Sequence, residues 1–108
     1  MARLILSYWR DIPMRVMVRD GRLREQKSLS ARFQTAMERA ALREGKGQSH
    51  ALLDDWRKQE TEQDGDMTEL LQAELSRLEQ AYDDTRLKAL ERACGWDNDG
   101  RNAADPTA

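Results

Sequence analysis

"IPMRVMVRDGRLREQK", residues 12–27, is the stretch whose reading decides the fold. Met14, Val16 and Val18 alternate with Arg15, Met17 and Arg19, the two-residue period of a half-buried strand. Asp20-Gly21 follows, a strong hairpin signal because glycine accepts positive φ at no steric cost and aspartate tolerates the left-handed region. "RLREQK" then continues as an exposed strand. Upstream, "RLILSYW" sets Leu4, Leu6 and Tyr8 against Ile5, Ser7 and Trp9. Both sets are largely apolar, which suits a strand covered on much of both faces. The first 27 residues therefore read as a three-stranded antiparallel meander, with the first strand over about Arg3 to Trp9.

At "SLSARFQTAMERAALREG" the period changes from about 2 to 3.6 residues. Leu29, Phe33, Met37 and Ala40 fall at helical spacing, Ser30 is a suitable N-cap, and Gly45 and Gly47 end the run. A helix over 30–44 is expected to cover the apolar face of the meander. A short helix over 49–59, with Leu52, Leu53 and Trp56 as its apolar patch, leads into "KQETEQDGD", which reads as an acidic linker over 59–66. A long helix over 67–95 opens on Asp66 with Glu69 three residues later, a capping-box-like pair, and closes at Gly95. Its Leu71, Leu75, Leu78 and Tyr82 stripe is broken by Asp83, Asp84 and Thr85, and Leu87, Leu90 and Cys94 resume on a rotated line. That stripe suits the core, a dimer seam or a docking helix. The polar segment 96–108 reads as a disordered tail. The expected class is α+β: one meander-and-helix domain over 1–58, the linker, and the C-terminal helix.

Composition narrows function by exclusion. The 108 residues suffice for one small core, and a 35% charged share leaves part of the chain standing in water. No apolar run approaches the roughly 20 residues a bilayer requires, and the first residues carry no secretory pattern, so a cytoplasmic location without membrane contact is expected. One cysteine and one histidine form neither a disulfide nor a zinc set. The net charge of −2 hides a split, with 13 Lys/Arg against 7 Asp/Glu in residues 1–58 and 5 against 13 in residues 59–108. Such asymmetry marks a partner surface or two attracting parts of one molecule.

Few residues carry candidate chemistry. His50, with Asp54 one turn on and Asp55 beside it, is the single proton-transfer set, and a histidine at a helix start more often caps or meets water. Cys94 falls at the negative end of a helix, which does not favour a thiolate nucleophile. No catalytic, cofactor-binding or metal residue is assigned. The "WRDIP" bend has two readings. In the structural one, Pro13 fixes φ, Asp11 caps the turn and Trp9 anchors the sheet to a helix. In the functional one, Trp9, Arg10 and Asp11 form an exposed recognition corner beside Arg15 and Arg19. Arg15, Arg19, Arg22 and Arg24, on neighbouring strands, also have two readings: a solvated edge whose charge resists strand addition, or a basic face suited to carboxylates or phosphates. The lack of further stacking rings, together with an isoelectric point near 5.4, weighs against nucleic acid.

"ILSYWRDIPMRVMVRDGR", "SLSARFQTAMERAAL" and "LLDDWR" together resemble the small bacterial proteins of the virulence factor family and the N-terminal module of conserved virulence factor C proteins. The resemblance covers about residues 3–58 and leaves 66–108 outside it. It implies a cytoplasmic bacterial protein that accompanies enzymes of folate and corrinoid one-carbon metabolism in an accessory role. It supplies no catalytic residues. The function expected is a non-enzymatic module that docks on a larger bacterial protein. The alternative is a nucleic-acid or phospholigand binder using the basic hairpin, and a dimer through the 67–95 helix is a further possibility.

Overall fold

Two tight hairpins organise the chain. In a computed structural model that describes residues 2–43, 45 and 55–97, β1 (Ala2–Trp9), β2 (Ile12–Asp20) and β3 (Leu23–Ser28) run antiparallel as a meander. The turn between β2 and β3 consists of Gly21 and Arg22, and Gly21 takes the φ of +64° that its position demands. In β2, Arg15 pairs with Ser7 while Pro13 pairs with Tyr8, which leaves Met14 as the extra residue of a β-bulge. The bulged Met14 carbonyl accepts the Leu29 amide at 3.0 Å, and this bond directs the chain into α1 (Ala31–Arg43).

The helix expected over 30–44 is present, and its buried residues Phe33, Ala36, Met37, Ala40 and Ala41 face the sheet and the later helices. Residues 46–54 lie outside the described residues, and with them most of the short helix expected over 49–59. The remainder of that helix and the expected linker are corrected by the structure. Trp56–Gln63 forms a fourth strand, β4, paired antiparallel with β1 along its whole length, from Ala2 opposite Gln63 to Trp9 opposite Trp56. The sheet order is β3-β2-β1-β4, so β1 is an interior strand. Every β4 side chain is exposed, so no alternation marks it as a strand; it is held by backbone pairing and by Arg3, which reaches Glu60 at 3.1 Å and Glu62 at 3.3 Å. Such charges also discourage further strands from adding to the edge.

The long C-terminal helix is two helices. α2 (Met67–Ala81) starts where Asp66 accepts the Glu69 amide, as the capping pair implies. Asp83 then caps a new helix, α3 (Asp84–Arg92), by accepting the Arg86 amide at 2.9 Å. The new axis explains the rotated stripe. Leu71, Leu75, Leu78, Tyr82, Leu87 and Leu90 all join one core with Leu4, Leu6, Tyr8, Val16 and Val18 of the sheet and Phe33 of α1. The stripe offered as a dimer seam therefore faces inward, because the sheet and α1 have already taken it as their cover. α2 packs against β1, β2 and β3, α1 against β2, and α3 against α1.

Ser30, the expected N-cap, turns its hydroxyl away from its own helix. Its amide and hydroxyl donate to the Glu79 carboxylate at 2.8 and 2.9 Å, and Arg32 bonds the same carboxylate at 3.0 Å. Burial alone would raise the Glu79 carboxyl, but these donors together hold it below its ordinary 4.5. Stabilisation from a depressed carboxylate is complete above that ordinary value and is lost as pH falls through the folded one. Glu79→Gln is expected to cost about 1 kcal/mol at pH 7, with the deficit shrinking towards pH 3 in urea titrations. A deficit that does not change with pH would contradict this role.

Candidate binding surface

The first hairpin has the same form as the second, with arginine in the seat of glycine. Trp9 pairs with Ile12, so Arg10 and Asp11 form a two-residue loop, and Arg10 takes a φ of +55°. A side chain in the left-handed region costs on the order of 1 kcal/mol and persists only where the surroundings impose it. Here they do. The Arg10 guanidinium lies 4.6 Å from the Trp9 ring centre and 5.2 Å from that of Trp96. It donates to the Cys94 carbonyl at 2.6 Å and to the Asp55 carboxylate at 3.1 Å. The Arg10 amide donates to the Asp55 carbonyl and the Asp11 amide to the Gly95 carbonyl, both at 2.9 Å.

Asp11 extends the junction. Its carboxylate accepts from Arg57 at 3.1 Å and from the Asp97 amide at 2.7 Å, while Arg57 lies over the Tyr8 ring at 4.4 Å. The bend thus ties the β1–β2 turn to the start of β4 and to the chain leaving α3. Gly95, at φ +93°, passes so close that a Cβ there would sit 2.8 Å from the Trp9 ring.

These contacts correct the recognition corner. Trp9 is 0% and Arg10 3% exposed, so neither has surface to offer a partner. The bend is structural, but not by the capping expected of it: the Asp11 carboxylate takes Arg57 and the Asp97 amide rather than an amide of its own turn. Of the tail expected over 96–108, Trp96 and Asp97 belong to this junction, and residues 98–108 lie outside the described residues. His50 and Asp54 also lie outside them, and Asp55, their neighbour in the expected set, serves Arg10. Among the described residues no group of three or more His, Cys, Asp or Glu is placed to hold a metal ion.

The arginine face is a different case. Register places Arg24, Arg19, Arg3 and Glu62 in one row across the strands, on the side opposite Leu4, Leu6, Val16 and Val18. The next row is Gln26, Met17, Ile5 and Glu60, and the third is Ser28, Arg15, Ser7 and Lys58. Arg15, Arg19 and Arg24 are exposed on this side, and Arg22 is exposed in the adjoining turn. Adjacent strands lie about 4.8 Å apart, and like charges set directly opposite destabilise a sheet. Arg3 is relieved by Glu60 and Glu62. Arg15, Arg19, Arg22 and Arg24 form no ion pair with any carboxylate of the described residues, whereas Arg10, Arg32, Arg57, Arg77 and Arg86 each do.

Sequence reasoning missed Arg3, Lys58 and Trp56 as members of this face. The first enters it through register with β2, and the other two through β4. Trp56, 41% exposed, stands at the end of β4 as the aromatic residue of that row of side chains.

The two arginine sets are expected to separate in chemical denaturation. Arg10→Gly relieves the backbone yet strands Asp55 and the Cys94 carbonyl, and should cost about 3 kcal/mol. Arg19→Thr removes a like-charge contact and should leave stability unchanged or raise it by a few tenths of a kcal/mol. A neutral Arg10→Gly would contradict the clamp, and a severe Arg19→Thr would show that the face is structural.

No curated protein and no solved structure matches the chain. A family model described as "Virulence factor" matches residues 7–90, from the end of β1 almost through α3. The match therefore takes in α2 and most of α3, which the resemblance over 3–58 had left outside, in keeping with the single core those helices share with the sheet. By this match over most of its length, the chain belongs to the virulence factor family.

Proposed function

We propose that this protein is a non-enzymatic accessory module that docks on an acidic surface of a larger bacterial protein, with the arginine-bearing face of its sheet, opposite α2, as the contact. The observation that carries this reading is the cluster of Arg15, Arg19, Arg22 and Arg24, which has no carboxylate partner among the described residues, where most of the other arginines are paired. A row of like charges costs stability, and local rules are broken in this way where function asks for it. The planar guanidinium matches carboxylate geometry and is weakly hydrated, which suits an interface. Cytoplasmic location belongs to the same proposal, and no helix of the described residues is long and apolar enough to cross a membrane. Enzymes of folate and corrinoid one-carbon metabolism, implied by the family resemblance, are the first partners to try.

Nucleic acid is the second reading, favoured by the same basic rows. Glu60 and Glu62 on that face and the lack of stacking rings beyond Trp56 weigh against it.

The test is crosslinking capture from the native cell with the wild type and with an Arg15→Glu/Arg19→Glu/Arg24→Glu variant confirmed as folded by circular dichroism. The wild type is expected to recover one stoichiometric protein, crosslinked to the sheet face, with recovery falling as salt rises. The variant should lose it by roughly tenfold or more, about 1.4 kcal/mol. Equal recovery by the variant overturns the docking face, and capture that nuclease abolishes transfers the face to the second reading.

A further inference from the structure

Where β2 bulges and α1 begins, a cavity of about 170 Å³ opens beside the basic face. Its lining combines the apolar Met14, Leu29, Phe33 and Met37 with Arg15 and Trp56, and Ser28 and Gln34 add polar groups. Arg15 and Trp56 also belong to the arginine-bearing sheet face, so cavity and face are continuous. Among the described residues no carboxylate lines the cavity. An apolar cavity of about 150 Å³ is enough to admit a benzene ring.

We infer that this cavity is the socket for an apolar side chain of phenyl or isobutyl size, carried on an extended acidic segment of the partner whose neighbouring carboxylate pairs with Arg15. The inference rests on the docking reading and adds to it the chemistry of the partner. Charged rows steer an encounter and set its salt dependence, but affinity concentrates in a few apolar anchors seated in pockets and ringed by polar groups. The arrangement here has that form: the methionines Met14 and Met37 beside an exposed cation, Arg15, and a part-exposed indole, Trp56. Thioether side chains adapt to anchors of varied shape. The positive mouth and the absence of acids select a segment in which the apolar residue is followed or preceded by Asp or Glu.

The test uses protein labelled with ¹³C at the methionine methyls, titrated with 3-phenylpropanoate and with its neutral counterpart 3-phenyl-1-propanol. The acid at millimolar concentration is expected to shift the Met14 and Met37 methyl signals and leave that of Met67, on α2, in place. Arg15→Gln, an exposed substitution, should weaken the acid several-fold and leave the alcohol unchanged. Silence at both Met14 and Met37 removes the socket. Equal binding of acid and alcohol, unaffected by Arg15→Gln, removes the acidic segment. Shifts that follow protein concentration without any probe assign the cavity to a second copy of the chain and overturn the proposal. Because no partner is present, these outcomes are independent of the capture experiment: a silent cavity leaves the docking face standing, and lost capture does not empty the socket.

Discussion

One guanidinium holds the two ends of this fold together. Arg10 sits between Trp9 and Trp96, bonded to the Cys94 carbonyl and to the Asp55 carboxylate, in a site with almost no solvent. Each contact offsets a different cost. The two indole faces replace part of the hydration shell of the cation. The carboxylate balances its charge, and the carbonyl takes a proton that would otherwise be buried without a bond. Together they outweigh the strain of an arginine at positive φ. The same contacts define where β4 begins and how the chain leaves α3, so the position of the last strand and of the last helix both refer back to one turn.

That arrangement divides the basic residues into two populations. Arginines on the helix side and at the bend are spent on internal bonds: Arg32 caps the end of α2 through the Tyr82 and Glu79 carbonyls, and Arg86 stacks on Tyr82 at 3.9 Å. The charge asymmetry between the halves of the sequence is thus partly consumed by attraction within the molecule, as the pairs Arg3–Glu60, Arg32–Glu79 and Arg39–Glu91 show. What remains is concentrated on the β2–β3 hairpin and its turn. A surplus that survives such pairing is better evidence for a partner than the raw count of basic residues, because exposed pairs form readily where geometry allows and contribute little when they do.

Much of this was legible in residues 2–43. The alternation of "MRVMVR" separates Val16 and Val18 from Arg15 and Arg19 correctly, and Asp20-Gly21 marks the hairpin to within one residue, its turn being Gly21-Arg22. The bend was not legible. Sequence rules assign the left-handed seat of a two-residue loop to glycine or asparagine, and the reason arginine occupies it lies 84 residues away, at the Cys94 carbonyl. β4 was missed because "WRKQETEQ" has no apolar period and is exposed throughout. Its existence was nonetheless implied by β1, whose apolar residues on both faces suit an interior strand rather than the edge of a meander. Asp83 carried the break between α2 and α3 in plain view, as a capping residue set inside a helical period.

Hydrogen exchange at the bend tests the central claim most directly. The amides of Arg10 and Asp11 donate to Asp55 and Gly95, partners far apart in the sequence, so they open only when the junction opens. If the clamp is integral to the fold, both amides exchange about as slowly as those of Leu6 and Val16 in the middle of the sheet, within roughly tenfold. Exchange at the rates of an ordinary surface turn, with the sheet still protected, would show that the bend opens independently and that the fold does not depend on it.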